Sequence, residues 1–276
     1  MPENDGLPGS RLATLFSIIV LLCFSIVACV LRPAWQELAT EQNLEIQYLD
    51  TTRFRHVVLV RNEPGKHLHI YVEGDGTPWI RNRRIAVDPT PTNPVLLELM
   101  QYAPGTAVYL GRPCYFGLST SKGCEPRLWT ADRYGTEIVE SMCLAANTLA
   151  QQYDAESVEL IGYSGGGAIV TGMRTCTNRL IRITTIAANL DPAAWTNYHG
   201  FLALDDIEPV ESAIMHSGQA TETHWQCKTD EKIPPSVTDR YFLAQEKATR
   251  QIVDSCTHAS GWRQYLSQII SGSIGD

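Results

Sequence analysis

The strongest constraint on this chain is five residues long. Gly162-Tyr163-Ser164-Gly165-Gly166 joins a short apolar, strand-like run, Ser157 to Ser164, to a helix-like segment from Gly165 to Arg174. A strand that gives way to a helix within one residue requires a sharp turn, and glycines flank the serine because a Cβ there would collide with the strained backbone. Such a turn raises one serine at the C-terminal edge of a sheet, beside the first N–H groups and positive dipole end of a helix. The pattern G-x-S-x-G alone is a weak signal. The strand before it and the helix after it make Ser164 a candidate nucleophile.

The rest of the chain alternates in the same way. Strand-like segments fall at 44–51, 55–60, 67–74, 106–111, 157–164, 180–188, 212–217 and 248–255. Helical patterns fall at 95–102, opened by Pro94, at 134–153, at 165–174, at 234–248, opened by Pro234-Pro235, and at 261–270. Asn62-Glu63-Pro64-Gly65 reads as a turn, and residues 112–133 as a long loop. This order predicts an α/β fold with a mostly parallel sheet covered on both faces. Residues 44–276 read as one domain, with 29–43 as a tether. The connection at about 191–211 is too long for an ordinary loop and is expected to form a small lid. Hydrophobic residues at 44% supply a large core, and a formal charge of −8 without any run of Lys or Arg argues against nucleic acid as a partner.

These features resemble the α/β-hydrolase superfamily over about residues 44–270. YVEGDG, LIGYSGGGA, AANLDPAAW, DEKIPP and the loop of His258 look like a bacterial group of exported serine hydrolases of unassigned substrate. The run Arg112, Cys114, Cys124, Trp129 and Arg133-Tyr134 fits the same group. The resemblance implies the α/β-hydrolase fold and serine-hydrolase chemistry, with a small-molecule or lipid acyl substrate and no metal or cofactor. Carboxylic-ester hydrolysis through an acyl-enzyme is the first expectation. Peptide or amide hydrolysis is the alternative within the fold, and a non-catalytic envelope-binding role is the alternative outside enzymology.

A serine hydroxyl needs a base to take its proton, and the base needs a carboxylate to orient it. In this fold the order along the chain is serine, acid, histidine. Of the seven histidines, at 56, 67, 69, 199, 216, 224 and 258, His258 alone lies between the last strand-like and last helix-like segments. Asp230, in a segment resembling the G-x-x-D-x-x-V-P-P run common in the superfamily, is the first choice of acid. A stretch of roughly Ala220 to Gln226 reads as an insertion separating it from the preceding strand, which leaves Glu222 and Asp191 as rivals. The N–H groups of Gly165 and of Asp75, in Glu73-Gly74-Asp75-Gly76, are the expected oxyanion donors.

The N-terminus points to export. Leu12 to Ala28 carries no charge, is short for a membrane span, and reads as a signal-peptide apolar region. It ends in Ile26-Val27-Ala28-Cys29, which resembles a bacterial lipobox and implies lipidation at Cys29 and a membrane anchor. Val30 follows without an Asp to retain the protein at the inner membrane, so an outer-membrane lipoprotein facing the periplasm is expected. Six cysteines remain in the mature chain, an even set that suggests disulfides. Cys114–Cys124 and Cys227–Cys256 are the pairs expected from position, while Cys143 and Cys176 are read as a further pair or as buried thiols.

Overall fold

A computed structural model of the chain describes residues 33–81, 83–207, 210, 220–245 and 247–271. The apolar segment Leu12–Ala28, Cys29, the strand expected at 212–217 with His216, and part of the expected lid lie outside the described residues.

The order of elements is α1 (Ala34–Glu41), β1 (Glu45–Asp50), β2 (Arg55–Arg61), β3 (His67–Val72), a small hairpin of β4 (Trp79–Ile80) and β5 (Arg84–Ile85), α2 (Val95–Met100), β6 (Thr106–Leu110), α3 (Thr136–Gln152), β7 (Ser157–Tyr163), α4 (Gly165–Gly172), β8 (Leu180–Ile186), α5 (Pro192–His199), β9 (Thr221–Cys227), α6 (Asp239–Ala244), β10 (Thr249–Val253) and α7 (Leu266–Ser271). Among the described residues eight strands form one sheet in the order β1-β2-β6-β3-β7-β8-β9-β10. β2 runs antiparallel to both its neighbours, and every pairing from β6 to β10 is parallel. The central strands are largely apolar because helices bury both faces: every residue of β6 is buried, as is every residue of β7 after Ser157, Glu159 included. Successive residues of β7 show the two faces. A Cβ on Gly162 would meet Val170 of α4, whereas Ile161 lines a crevice with Leu96 and Leu99 of α2 and Leu266 and Ile269 of α7.

Strand β3 lies between β6 and β7, so the chain reverses its direction of travel across the sheet at β3. In such sheets the crevice beyond the carboxyl ends of the strands at the reversal is where ligands bind. Here those ends carry Glu73 to Gly76 and Ser164.

Several elements differ from the sequence reading. The strand beside β8 is Thr221–Cys227, the stretch taken for an insertion. Its sequence, TETHWQC, lacks an apolar run because its buried polar groups are paired: His224 Nδ1 lies 2.8 Å from Thr185 Oγ1, and Gln226 Nε2 donates to Thr238 Oγ1 at 2.7 Å. The tether also carries structure, since α1 places Trp35 and Ala39 in the core. The helix read at 234–248 divides into a 3-10 turn at Pro235–Thr238 and α6, and the final helix into a 3-10 turn at Trp262–Tyr265 and α7. Part of the expected lid is α5, closed by Gly200 in the left-handed conformation and followed by exposed Phe201 and Leu202. Among the described residues no helix is long and apolar enough to cross a membrane.

All six candidate cysteines are paired: Cys114–Cys124, Cys143–Cys176 and Cys227–Cys256, with Cα separations of 5.5, 5.3 and 5.7 Å. Cys143 and Cys176 are therefore not buried thiols. Helix α4 ends at Gly172, which frees Cys176 to face α3, and Asn147 Nδ2 bridges the carbonyls of both cysteines.

Candidate active site

Ser164 occupies the turn between β7 and α4 with φ 52° and ψ −120°, a region that non-glycine residues rarely adopt. The backbone is held there by its surroundings. Its N–H donates to Ile186 O at 3.0 Å, and its carbonyl accepts from Gly167 N and Asn189 N, both at 3.0 Å. Two flanking glycines are sterically required. A Cβ on Gly165 would fall inside the Asp75 carboxylate, and one on Gly166 inside the Val72 carbonyl.

The structure brings Ser164, His258 and Asp230 together. Ser164 Oγ lies 3.0 Å from His258 Nε2, and His258 Nδ1 lies 2.8 Å from Asp230 Oδ2. These partners assign the tautomer: Nδ1–H donates to the carboxylate and Nε2 accepts from the serine hydroxyl. Asp230 is buried, and its Oδ1 accepts the N–H groups of Lys232 at 2.8 Å and Ile233 at 3.0 Å. The His258 carbonyl accepts from Tyr163 OH at 3.1 Å and Trp262 Nε1 at 2.9 Å. Tyr163 thus ties the histidine loop to the residue preceding Ser164. The Cys227–Cys256 disulfide and a Thr229 Oγ1 bond to Cys256 O at 3.0 Å join the Asp230 loop to the His258 loop.

The rival acids are engaged elsewhere. Asp191 is buried, caps α5 by accepting from Ala194 N at 2.9 Å, and takes Arg240 Nε and Nη2 at 2.8 and 2.9 Å. Glu222 accepts from Arg174, His224 and Tyr241. Neither pairs with His258.

The two expected oxyanion donors belong to residues bordering the serine: Gly165 follows it directly, and Asp75 lines the same cleft. Gly165 begins α4, and Asp75 lies on the loop after β3. Among the described residues, no hydrogen bond consumes either N–H. The Asp75 side chain, which the sequence reading did not use, anchors that loop. It accepts from Arg112 Nη1 at 2.7 Å, Arg133 Nη1 at 3.2 Å and Tyr134 OH at 2.6 Å, while its carbonyl accepts from Tyr115 OH at 3.2 Å. Burial pushes the Asp75 carboxyl up, but the two guanidiniums and the donated hydrogen bonds outweigh it and hold the group below the usual carboxylate range. The signal for this role lies in the family-like run itself, which contains Arg112 and Arg133-Tyr134.

Glu73, one residue before Gly74, is buried and holds the other side of the loop. Pro94 offers no side-chain cap to α2, and Glu73 Oε2 takes its place by accepting from Leu96 N at 2.9 Å. Burial pushes its carboxyl up to about 7, against the hydrogen bonds from the backbone of Leu96 and Gly74.

A cleft of about 470 Å³ opens over Ser164 and His258, with Trp79, Trp195, Phe201 and Asn189 among its lining residues. Asn189 is buried, and among the described residues neither its Oδ1 nor its Nδ2 has a hydrogen-bond partner.

No family model matches the chain, and no curated protein sequence matches it. Solved structures do. A lidless α/β serine hydrolase from Xanthomonas campestris is 14% identical, with 83% of this chain and 94% of that one covered at a TM-score of 0.55. A membrane phospholipase A described as a bacterial virulence factor is 12% identical, with 96% and 99% covered at 0.63. An esterase of Pyrococcus furiosus is 10% identical, with 85% and 93% covered at 0.59. The chain has the α/β-hydrolase fold.

Proposed function

We propose that this chain is an exported serine hydrolase that cleaves carboxylic esters through an acyl-enzyme. The observation that carries the proposal is the line of two hydrogen bonds, Ser164 to His258 to Asp230, at a strained strand-to-helix turn. His258 Nε2 takes the hydroxyl proton as Ser164 Oγ attacks the acyl carbonyl. Asp230 holds the ring in the accepting tautomer and stabilises the imidazolium. The developing oxyanion sits between the N–H groups of Gly165 and Asp75, at the positive end of α4. Each such donor contributes about 10²–10³-fold. The Arg112–Arg133–Asp75 cluster adds one net positive charge behind it. His258 then protonates the leaving alkoxide. Water, activated by the same ring, attacks the acyl carbon and frees Ser164.

The cleft supports an ester substrate. Its size and its Trp79, Trp195 and Phe201 walls accommodate an acyl chain. The structural neighbours include an esterase and a phospholipase A, in agreement with this reading. Export is supported by the three disulfides, which persist in oxidising compartments. Anchoring to the outer membrane through lipidated Cys29 belongs to the same proposal.

Labelling with a fluorophosphonate probe, alongside p-nitrophenyl esters of graded chain length and peptide substrates, tests it. The expected outcome is labelling and ester turnover in the parent chain, with a loss on the order of 10⁴-fold in Ser164→Ala. Labelling retained in that variant would overturn the nucleophile assignment. Turnover of peptides in preference to esters would replace the substrate class, and an unreactive parent chain would favour a binding role. For the anchor, Cys29→Ser is expected to yield soluble or unprocessed protein on fractionation.

A further inference from the structure

At the opposite ends of the central strands from Ser164, the structure assigns a divalent-cation site to His67, His69 and Glu159, with Zn²⁺ as the ion the donor set selects. His67 and His69 are two apart on β3 and therefore project from the same face. Glu159 stands on β7 as the register partner of His69. One ligand atom from each of the three side chains lies within 4.8 Å of the others. Glu159 Oε2 is 3.2 Å from His69 Nδ1 and 3.9 Å from His67 Nε2. A tetrahedral ion bound at about 2.0–2.2 Å to nitrogen and oxygen keeps its ligands about 3.3–3.6 Å apart, so the three atoms already stand near a coordination triangle.

The surrounding groups orient these ligands as an ion requires. His67 Nδ1 lies 2.7 Å from Ser157 Oγ, which turns Nε2 inward, where it makes no hydrogen bond. Thr184 Oγ1 donates to Glu159 Oε1 at 2.7 Å, leaving Oε2 toward the imidazoles. Partners of this kind fix ring and carboxylate orientation in metal sites. Glu159 and the His69 ring are buried, while the His67 side chain is 29% exposed, so the cluster lies close to the surface on the His67 side. Two imidazoles and one carboxylate suit Zn²⁺ and disfavour Mg²⁺ and Ca²⁺, which prefer all-oxygen sites. The site is separate from the proposed hydrolysis and takes no part in it. Its effect is to clasp β3 to β7, the strands whose other ends carry the Asp75 loop and Ser164. A search for Cys/His zinc spacing misses it because the third ligand lies 90 residues beyond the histidine pair.

The test uses the full mature chain after chelator treatment and dialysis, with ZnCl₂ or CoCl₂ as the only additions. Calorimetry is expected to give one Zn²⁺ per chain. Co²⁺ is expected to give the visible absorption of a four-coordinate site, and Zn²⁺ to raise the thermal midpoint. His67→Ala, at a partly exposed position that leaves the core intact, is expected to weaken Zn²⁺ binding by about 100-fold and to abolish the Co²⁺ spectrum. Glu159→Gln is expected to do the same. No binding by the parent chain, or stoichiometric binding that survives in His67→Ala, would overturn the assignment. Ester turnover is read separately, so failure of one proposal leaves the other standing.

Discussion

Ser164 follows a strand whose last six residues are all buried, and its turn is fixed by backbone hydrogen bonds and by glycines pressed against neighbouring main chain and side chains. His258 follows β10, an edge strand with Thr249, Gln251 and Ile252 exposed, and across residues 254–261 Cys256 is the one fully buried residue. The two halves of the site therefore hold their side chains by different means. In the interior, packing leaves Ser164 nowhere else to go. At the edge of the sheet little surrounds the loop, and a covalent bond from Cys256 to Cys227 replaces the missing contacts, aided by Thr229, Tyr163 and Trp262. A buried turn can be specified by local sequence, whereas an edge loop needs a partner distant in sequence.

The largest effect separating the halves is expected from one added methyl group. Gly165→Ala leaves an ordinary backbone conformation but drives a Cβ into the Asp75 carboxylate and toward Tyr134 OH. Asp75 must move, and with it the N–H proposed as an oxyanion donor. The expected loss in kcat is about 10²–10³-fold with KM little changed, measured on the best ester of the panel. Activity within a few-fold of the parent would show that the packed half tolerates displacement, and the contrast would break.

On the edge side, Cys227→Ser and Cys256→Ser are each expected to lower kcat by about 10–100-fold, since a base displaced by an ångström costs about that much. The bond closes a loop with a sequence separation of 29, which the chain-entropy model values at roughly 3–4 kcal/mol of stability. Both single variants remove the same bond, so the double variant is expected to be no worse than either. Additive losses in steady-state kinetics, or unchanged kcat, would mean that the loops are positioned without the disulfide.

The same division governs what the sequence reveals. The turn at Ser164, the buried strands at 106–110 and 157–163 and the face of α3 through Ile138, Met142, Ala145 and Leu149 are legible because burial imposes periodicity and glycine. His258 follows from its place between the last strand and helix. β9 is hidden because its buried His224 and Gln226 are satisfied by hydrogen bonds to Thr185 and Thr238, which no linear pattern records. The same holds for the Asp75 side chain, whose partners lie 37 to 59 residues away, and for Asn189, which the sequence reading did not single out. Asp230 separates from Asp191 and Glu222 only when Arg240 and Arg174 are seen to occupy the rivals.

The smallest effect sharpens the contrast from the buried side. Packing that holds the Asp75 loop also buries Glu73, whose carboxyl is pushed up to about 7 from an ordinary value of 4.5. A carboxyl with a raised folded-state pKa favours the fold when protonated. Its contribution is fully present below pH 4.5 and is lost as pH rises through 7, a change of up to about 3 kcal/mol. His56 acts in the opposite sense. Burial pushes its imidazole down to about 4, so its contribution is present above pH 6.5 and is lost as pH falls through 4. Between pH 5 and 6.5 the two partly cancel in the parent chain. Glu73→Gln removes the first while keeping an oxygen to accept from Leu96 N. In urea unfolding, the variant is expected to gain stability from pH 5 to 6.5 and then level off. Its advantage over the parent is expected to grow with pH up to about 8, approaching 3 kcal/mol. A difference that stays constant from pH 5 to 8 would mean that Glu73 carries no proton in the fold, and that the buried half of the site is insensitive to pH.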